Sequence, residues 1–284
     1  MLKIHSPAKI NFVLELLGKR EDGFHNISSI MAPISLFDEI TIVKSKVNTV
    51  NFNSNYDGTF EDATIQIKTI CDLLATRATK SFPVTININK LIPSPGGLGG
   101  VSSNLTNIIM GLNDLWSINL SQPEIKEIAS QFGNDAIFFV DPFISHVTGK
   151  GEMITKLSNK FTANIVIIPM LTTNIPLDKT KTMYSKSISQ DMTTGEYANN
   201  FINESSGAIS EDDKFYNAFE SIIKREYPEQ YLANQKIEQY IQKKLHLSGS
   251  GPTVYCLADD KNDSEQIIAN LQKQQIQAFF AQII

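Results

Sequence analysis

Four glycines in five positions, Gly96, Gly97, Gly99 and Gly100, stand in the stretch Pro93-Ser94-Pro95-Gly96-Gly97-Leu98-Gly99-Gly100-Val101-Ser102-Ser103-Asn104. Backbone without side chains can approach a ligand closely, and the free N–H groups of such a loop, with the positive end of a following helix, face an anion. Phosphate binding is one reading; a tight turn that needs unusual backbone angles is the other. No Gly-Lys-Ser/Thr follows, as in a Walker A loop, and the order is not that of a dinucleotide-binding strand–loop–helix.

Four other places carry groups of chemical use. Lys9, in Pro7-Ala8-Lys9-Ile10-Asn11, enters an apolar run. Pointing inward it needs an anionic partner or its pKa falls; at the surface it would keep its amine in water. Asp135, in Gly133-Asn134-Asp135, stands at the edge of Ala136-Ile137-Phe138-Phe139 and is either a cap or turn residue or a functional acid. Leu247-Ser248-Gly249-Ser250-Gly251-Pro252-Thr253 is a second small-residue loop, suited to wrapping a phosphate or to a plain turn. Phe24-His25 sets a ring beside an imidazole, where a planar base can stack on one and hydrogen-bond to the other, unless the loop simply buries its Phe.

Periodicity names the elements that must position these groups. Residues 10–17 read as a strand with Asn11 and Glu15 interspersed, followed by the polar turn 18–23. Residues 39–43 and 84–88 alternate like half-buried strands, and residues 64–75 are spaced for a helix. After the glycine stretch, Leu105, Ile108, Ile109, Leu112 and Leu115 give a helix with one buried face, with Ser102 or Ser103 as its expected N-cap. A helix over about residues 123–132 ends at Gly133, and residues 138–140 and 145–148 read as short strands. The pattern restarts past the polar Ser158-Asn159-Lys160 with a strand at 163–169, helices over 213–225 and 237–244, a strand at 253–258, a helix over 264–273 and a last strand at 277–283. Residues 186–212, polar and without periodicity, read as a mobile surface loop. This alternation implies an α+β chain with two domains, residues 1–157 and 158–284.

A chain of 284 residues, 42% hydrophobic and 19% charged, is globular and long enough for two cores. A net charge of −5 and no dominant Lys/Arg run argue against nucleic acid as a partner, while a few N–H groups and one Lys still suffice for phosphates. Cys71 and Cys256 lie in apolar stretches without metal-ligand or redox spacing and are expected to be reduced core thiols of a cytoplasmic protein. The first seven residues lack the apolar core of a signal peptide, and no apolar run reaches the roughly 18–20 residues that span a bilayer.

Taken together, in this order and spacing from about Lys3 to Leu257, these features resemble the GHMP kinases, named for galactokinase, homoserine kinase, mevalonate kinase and phosphomevalonate kinase. The resemblance implies an N-terminal domain similar to ribosomal protein S5 domain 2, a ferredoxin-like C-terminal domain, ATP over Pro93 to Ser103, and Mg2+ with it. Lys9 and Asp135 match the family's catalytic pair. Pro7 to Asn11 followed by Arg20-Glu21-Asp22-Gly23-Phe24-His25 is similar to the members whose acceptor is a cytidine-diphosphate-linked methylerythritol of the non-mevalonate isoprenoid route. By that resemblance Asn11 contacts the methylerythritol end, His25 reads the cytosine edge, and Phe24 and Tyr184 flank the base. Another small alcohol such as mevalonate or homoserine, a nucleotide-binding pseudokinase and an RNA-binding module are the competing readings. Against the family's usual loop, Pro95 and Val101 replace glycines and Leu105-Thr106 replace two alanines. Pro95 removes an N–H and fixes φ, and Val101 adds a branched side chain, so both are expected to alter the loop's mobility or its grip on nucleotide.

Overall fold

The computed structural model describes residues 1–56, 59–158, 160–170, 179–203, 207–209 and 211–284. The chain runs β1 (Leu2–Lys19), β2 (His25–Lys44), β3 (Thr49–Ser54), α1 (Glu61–Arg77), β4 (Val84–Lys90), α2 (Gly100–Leu115), α3 (Gln122–Ser130) and α4 (Asn134–Phe138). It continues through β5 (Ser145–Gly149), β6 (Met153–Lys156), β7 (Phe161–Thr162), β8 (Asn164–Ile168), α5 (Lys179–Ser185), a 3-10 turn (Ser189–Asp191), α6 (Glu196–Ile202) and β9 (Gly207–Ala208). Last come β10 (Tyr216–Asn217), α7 (Ala218–Glu226), α8 (Pro228–Ile241), β11 (His246–Leu247), β12 (Val254–Ala258), α9 (Lys261–Lys273) and β13 (Phe279–Gln282). Packing divides these elements into two units, one of residues 1–8, 36–95 and 99–142, the other of residues 9–35, 96–98 and 143–284. This is a different division from two consecutive segments, because β1 and β2, at 18 and 20 residues, are long enough to supply strand to both units.

In the first unit β4 pairs antiparallel with β2, Ile88 opposite Ile40, and parallel with β3, Ile86 opposite Val50. Ile40, Ile42, Ile86 and Ile88 meet Ile67, Ile70 and Leu74 of α1 and Ile108, Ile109 and Leu112 of α2. The other face is polar, with Asn51 Nδ2 donating to Asn87 Oδ1 and Asn53 Nδ2 to Asn89 Oδ1. Side chains alternate along a strand, so Lys90 falls in phase with buried Val84, Ile86 and Ile88, and Asp38 in phase with buried Leu36, Ile40 and Ile42. Both are carried into the core, where they form an ion pair without solvent contact. Asp38 Oδ1 also accepts the backbone N–H groups of Leu91 and Ile92, each at 2.8 Å, and so fixes the chain where it leaves β4 for the glycine stretch. Burial pushes the Lys90 ammonium below the ordinary lysine range, and the Asp38 carboxylate opposes that shift.

Two local expectations change here. Helix α2 begins at Gly100 with Gly99 as its cap, and Ser103 N donates to Gly99 O at 2.9 Å. Ser103 cannot serve as the cap because its hydroxyl is inside the core, sharing a 2.7 Å hydrogen bond with Ser6 Oγ. Residues 138–140, expected as a strand, end the short helix α4 instead, with Phe138 and Phe139 both buried and packed edge to face at 5.2 Å. A run of consecutive apolar residues has no period that tells strand from helix.

In the second unit β1 pairs parallel with β10, Val13 opposite Tyr216, and β2 pairs antiparallel with β5, which pairs antiparallel with β6. A separate antiparallel sheet in the order β11-β12-β8-β13 presents Val166, Ile168, Val254 and Cys256 to Phe219, Ile222 and Ile223 of α7, Ile237 of α8 and Ile267 and Leu271 of α9. The helix expected over 213–225 begins only at Ala218, after β10, because Asn217 Oδ1 accepts from Phe219 N at 3.0 Å and caps it there. The expected mobile loop at 186–212 is instead partly helical in its described part; residues 204–206 and 210 lie outside the described residues. Glu15, fully buried in β1, accepts the first-turn N–H groups of Tyr197 and Ala198 in α6. Asp191 accepts from Ser221 Oγ and Arg225 of α7, so the segment is held by partners distant in sequence.

Among the described residues no helix is long and apolar enough to cross a membrane. Cys71 and Cys256 are free and buried, and burial pushes both thiols up to about 12, consistent with inert core residues.

Removing one partner of a buried ion pair leaves an uncompensated charge, so Asp38→Ala will destabilise the fold by roughly 3–5 kcal/mol. Urea unfolding of the variant measures this; a loss within experimental error of zero would mean the pair is not closed to water.

Candidate active site

Lys9 is 4% exposed, which excludes the surface-lysine reading. Residues two apart on a strand share a face, and Lys9 Nζ donates to Asn11 Oδ1 at 2.6 Å. Asn11 Nδ2 donates to Ser29 Oγ at 2.8 Å, and Ser29 Oγ donates to Val13 O at 2.6 Å. The ammonium is therefore aimed by a relay of neutral groups across β1 and β2.

The two glycine-bearing loops close around this lysine. Lys9 N donates to Leu98 O at 2.9 Å, and Ser248 Oγ donates to Gly97 O at 3.1 Å. Gly97 has φ +74°, and a Cβ there would lie 2.1 Å from Ser248 O. Gly249 has φ +55°, and a Cβ there would lie 2.9 Å from Gly97 O and 3.0 Å from Lys9 Nζ. Only glycine tolerates both the left-handed backbone and this approach. The 247–253 loop is thus more than a turn before β12: it backs the first loop and flanks the ammonium.

The rest of the stretch belongs to the first unit with Asp135. The first turn of α2 carries no acidic side chain, so the positive end of the helix is unneutralised by its own residues. Pro93, Ser94 and Pro95 lead in, with a cis bond between Ser94 and Pro95, and Ser102 lies half-buried in the first turn. Val101 is helical and packs half-buried against the first unit's core, so its branched side chain does not crowd the loop backbone. Thr106, noted in the sequence only as a departure from alanine, donates through Oγ1 to Ala136 O at 2.8 Å and pins α4 to α2. That bond holds Asp135, in the first turn of α4, in the same unit as the N-terminus of α2. Asn104, almost wholly buried in α2, leaves both its amide atoms without a hydrogen-bond partner.

A third group of residues gathers in the second unit. His25 is 7% exposed and lies face to face with Tyr184, ring centroids 5.4 Å apart, while Tyr184 meets Phe219 edge-on at 5.0 Å. Ser187 Oγ donates to Tyr184 O at 2.8 Å and lies 3.1 Å from His25 Nε2. A hydroxyl has one proton; with that proton on Tyr184 O, Ser187 accepts, so His25 carries its proton on Nε2 and leaves Nδ1 as an acceptor. Burial, with a smaller contribution from the Lys19 charge, holds the His25 pKa below its ordinary value, so the ring is neutral at pH 7. Phe24 is 52% exposed and lies beneath Lys150 Nζ, 5.0 Å from its ring centre. The fold therefore unites His25 with Tyr184, while Phe24 faces outward at the start of β2.

Ser29, Ser187 and Thr106 escaped the sequence reading because an isolated hydroxyl in a strand, loop or helix carries no periodic signal. Lys90 and Asp38 did carry one, being charged residues in the buried phase of alternating strands.

The GHMP kinases N terminal domain matches residues 66–141, and the GHMP kinases C terminal domain matches residues 203–277. A solved 4-(cytidine 5'-diphospho)-2C-methyl-D-erythritol kinase covers 99% of this chain and 99% of its own with a TM-score of 0.78 at 21% identity, so the two share a fold. The chain belongs to the GHMP kinases, phosphotransferases with an alcohol acceptor, and has their two-domain α+β fold. Among its relatives, a 4-diphosphocytidyl-2-C-methyl-D-erythritol kinase of Dehalococcoides mccartyi is 30% identical over 98% of this chain and 97% of its own length. Another of that name, from Finegoldia magna, is 31% identical over 96% of each.

Gly97→Ala will place a methyl group inside a backbone contact at a left-handed position, costing at least about 1–3 kcal/mol. Urea unfolding gives the loss, and an unchanged midpoint would show that the two loops separate freely.

Proposed function

We propose that this chain transfers the γ-phosphoryl group of ATP to the 2-hydroxyl of 4-diphosphocytidyl-2-C-methyl-D-erythritol, a step toward isoprenoid precursors outside the mevalonate route. The observation that carries this reading is the buried, neutral His25 stacked on Tyr184, in a chain whose near full-length relatives bear the name of that kinase. A planar base extends such a stack. Cytosine presents an amino group where uracil presents a carbonyl, and His25 Nδ1, as an acceptor, suits the amino edge. An acyclic acceptor such as mevalonate has no ring to use either feature. Phe24 is the second ring proposed at the base, and Asn11 the contact to the polyol end.

ATP is proposed to lie with its phosphates over Pro93 to Ser103. The N–H groups of this stretch and the α2 N-terminus supply fixed positive potential where charge develops on the transferred group. Lys9, buried near Gly249, is proposed to bring positive charge to the phosphates. The adenine is proposed to rest against an open apolar depression of about 520 Å³ lined by Val50, Phe52, Phe60, Thr64 and Ile65, at the start of α1. Tyr56 OH donates to Leu91 O at 3.0 Å and so brings that end of β3 beside the lead-in to the glycine stretch.

Among the described residues no three Asp, Glu, His or Cys side chains gather into a metal cage. The donors present therefore suit Mg2+ carried chiefly by phosphate oxygens and water, entering as MgATP. Bound that way, the ion neutralises part of the phosphate charge. Asp135 is proposed to take the proton as the acceptor oxygen forms its bond to Pγ and the bond from Pγ to the bridging oxygen breaks, releasing ADP. The protein is proposed to act on these small molecules in the cytoplasm.

In an ADP-coupled assay the protein will turn over the cytidylyl substrate and neither mevalonate nor homoserine, and Asp135→Asn will lower kcat by about 10²-fold or more. Turnover with mevalonate or homoserine instead, or a near-normal Asp135→Asn, sinks the acceptor or the base respectively. His25→Ala will raise KM for the cytidylyl substrate and leave KM for ATP in place. Because His25 protonates only below its ordinary range, the wild-type acceptor KM will stay flat from about pH 8 to about pH 6.5 and rise below that. A rise already at neutral pH would mean that the ring is charged there.

A further inference from the structure

A single amide fixes the second glycine-bearing loop. Asn217, 4% exposed, donates through Nδ2 to Leu247 O at 2.8 Å and to Gly249 O at 2.9 Å. Its Oδ1 does a different task, accepting Phe219 N at the start of α7. One turn along, Glu220 Oε1 accepts Leu247 N at 3.0 Å, so Leu247 is held at its C=O by the cap of α7 and at its N–H by the first turn of that helix. With its carbonyl bound, Gly249 cannot turn away from Gly97 O and Lys9 Nζ, which stand within 3.0 Å of its Cβ position. Within the loop Gly251 N donates to Ser248 O and Ser248 N to Thr253 O, bonds that set its shape, while the Ser248 hydroxyl holds Gly97 O and Ser250 Oγ lies 3.2 Å from Thr180 Oγ1.

We propose that Asn217 is a positioning residue for phosphoryl transfer, which clamps the carbonyls of Leu247 and Gly249 and thereby seats the loop that backs Gly97 and flanks Lys9. This rests on the reading of Lys9 and the glycine stretch as kinase machinery. The clamp and the helix cap use opposite ends of one amide, so they can be separated. Aspartate caps a helix as well as asparagine does, but it sets a carboxylate oxygen against two carbonyl oxygens. Serine also caps, and it is too short to reach both carbonyls.

Asn217→Asp and Asn217→Ser are therefore compared with wild type by hydrogen–deuterium exchange and by steady-state kinetics. Exchange is expected to quicken in residues 246–252 and to stay unchanged in residues 219–226 for both variants, with kcat lower by about tenfold or more, the scale of a misplaced catalytic group, and acceptor KM within about twofold of wild type. A carboxyl facing two carbonyl oxygens has a raised pKa and, once protonated, regains one donor. The ratio of Asn217→Asp to wild-type kcat should then rise as pH falls from about 8 to about 6, and the Asn217→Ser ratio should not. Wild-type exchange in 246–252 overturns the clamp. Equal quickening in 219–226, with a parallel fall in Tm, overturns it too, because Asn217 would then be a cap and nothing more. If Asn217→Asp does not fold, Asn217→Ser decides by the same readings. Exchange needs no substrate, so a wild type inactive toward every acceptor defeats the kinase reading while the clamp is still judged.

Discussion

At Gly97 and Gly249 two backbones approach so closely that neither position can carry a Cβ, and the Lys9 ammonium stands 3.0 Å from where the Cβ of Gly249 would be. The close approach has three consequences. Peptide groups of Gly97 and Gly249 flank the lysine beside the Asn11 side chain, and such fixed dipoles need no rearrangement during a reaction. Both loops must adopt left-handed glycine conformations, which ties their sequences to the contact. And Lys9 of β1 must meet the loop between β11 and β12, which joins segments far apart in the chain.

The glycine stretch is held at several points by groups of different kinds. Asp38 grips its lead-in through the N–H groups of Leu91 and Ile92 while paired with Lys90. Ser248 grips Gly97, and Lys9 N grips Leu98. Gly99 then turns the chain into α2. A buried ion pair such as Lys90 with Asp38 adds little net stability over apolar residues of the same volume, since desolvation offsets much of the attraction. Its use here is geometric: Asp38, held by the lysine, presents its second oxygen to two backbone N–H groups that only one arrangement of the chain can offer.

The pairing of His25 with Tyr184 follows a different logic. It has two flat rings, a hydroxyl with one proton, and burial deep enough to keep an imidazole neutral. Such a pairing can distinguish a flat partner by tautomer and by stacking.

Most strands and helices were legible in the sequence, because alternation in residues 39–43 and 84–88 and the three-and-four spacing after the glycine stretch reflect how each segment meets a core. Membership of the GHMP kinases was legible too, since the order and spacing of Lys9, Asp135, His25 and the glycine stretch resemble that family even where each alone has a plain alternative. The start of α2, the end of the chain segment at 138–140 and the helix within 186–212 were not. Each is decided by a partner remote in the chain: Ser6 for Ser103, the facing core for Phe138 and Phe139, and Glu15 for Ala198 across 183 positions. The two loops likewise carry glycines that any reader can see, yet that they touch is settled by Ser248 reaching Gly97 across 151 positions. Local sequence determines which backbone shapes are open to a segment, because φ and side-chain sterics are local. Which hydrogen-bond partner satisfies a buried polar group depends on what the completed fold brings within 3 Å or so, and tertiary structure alone decides that.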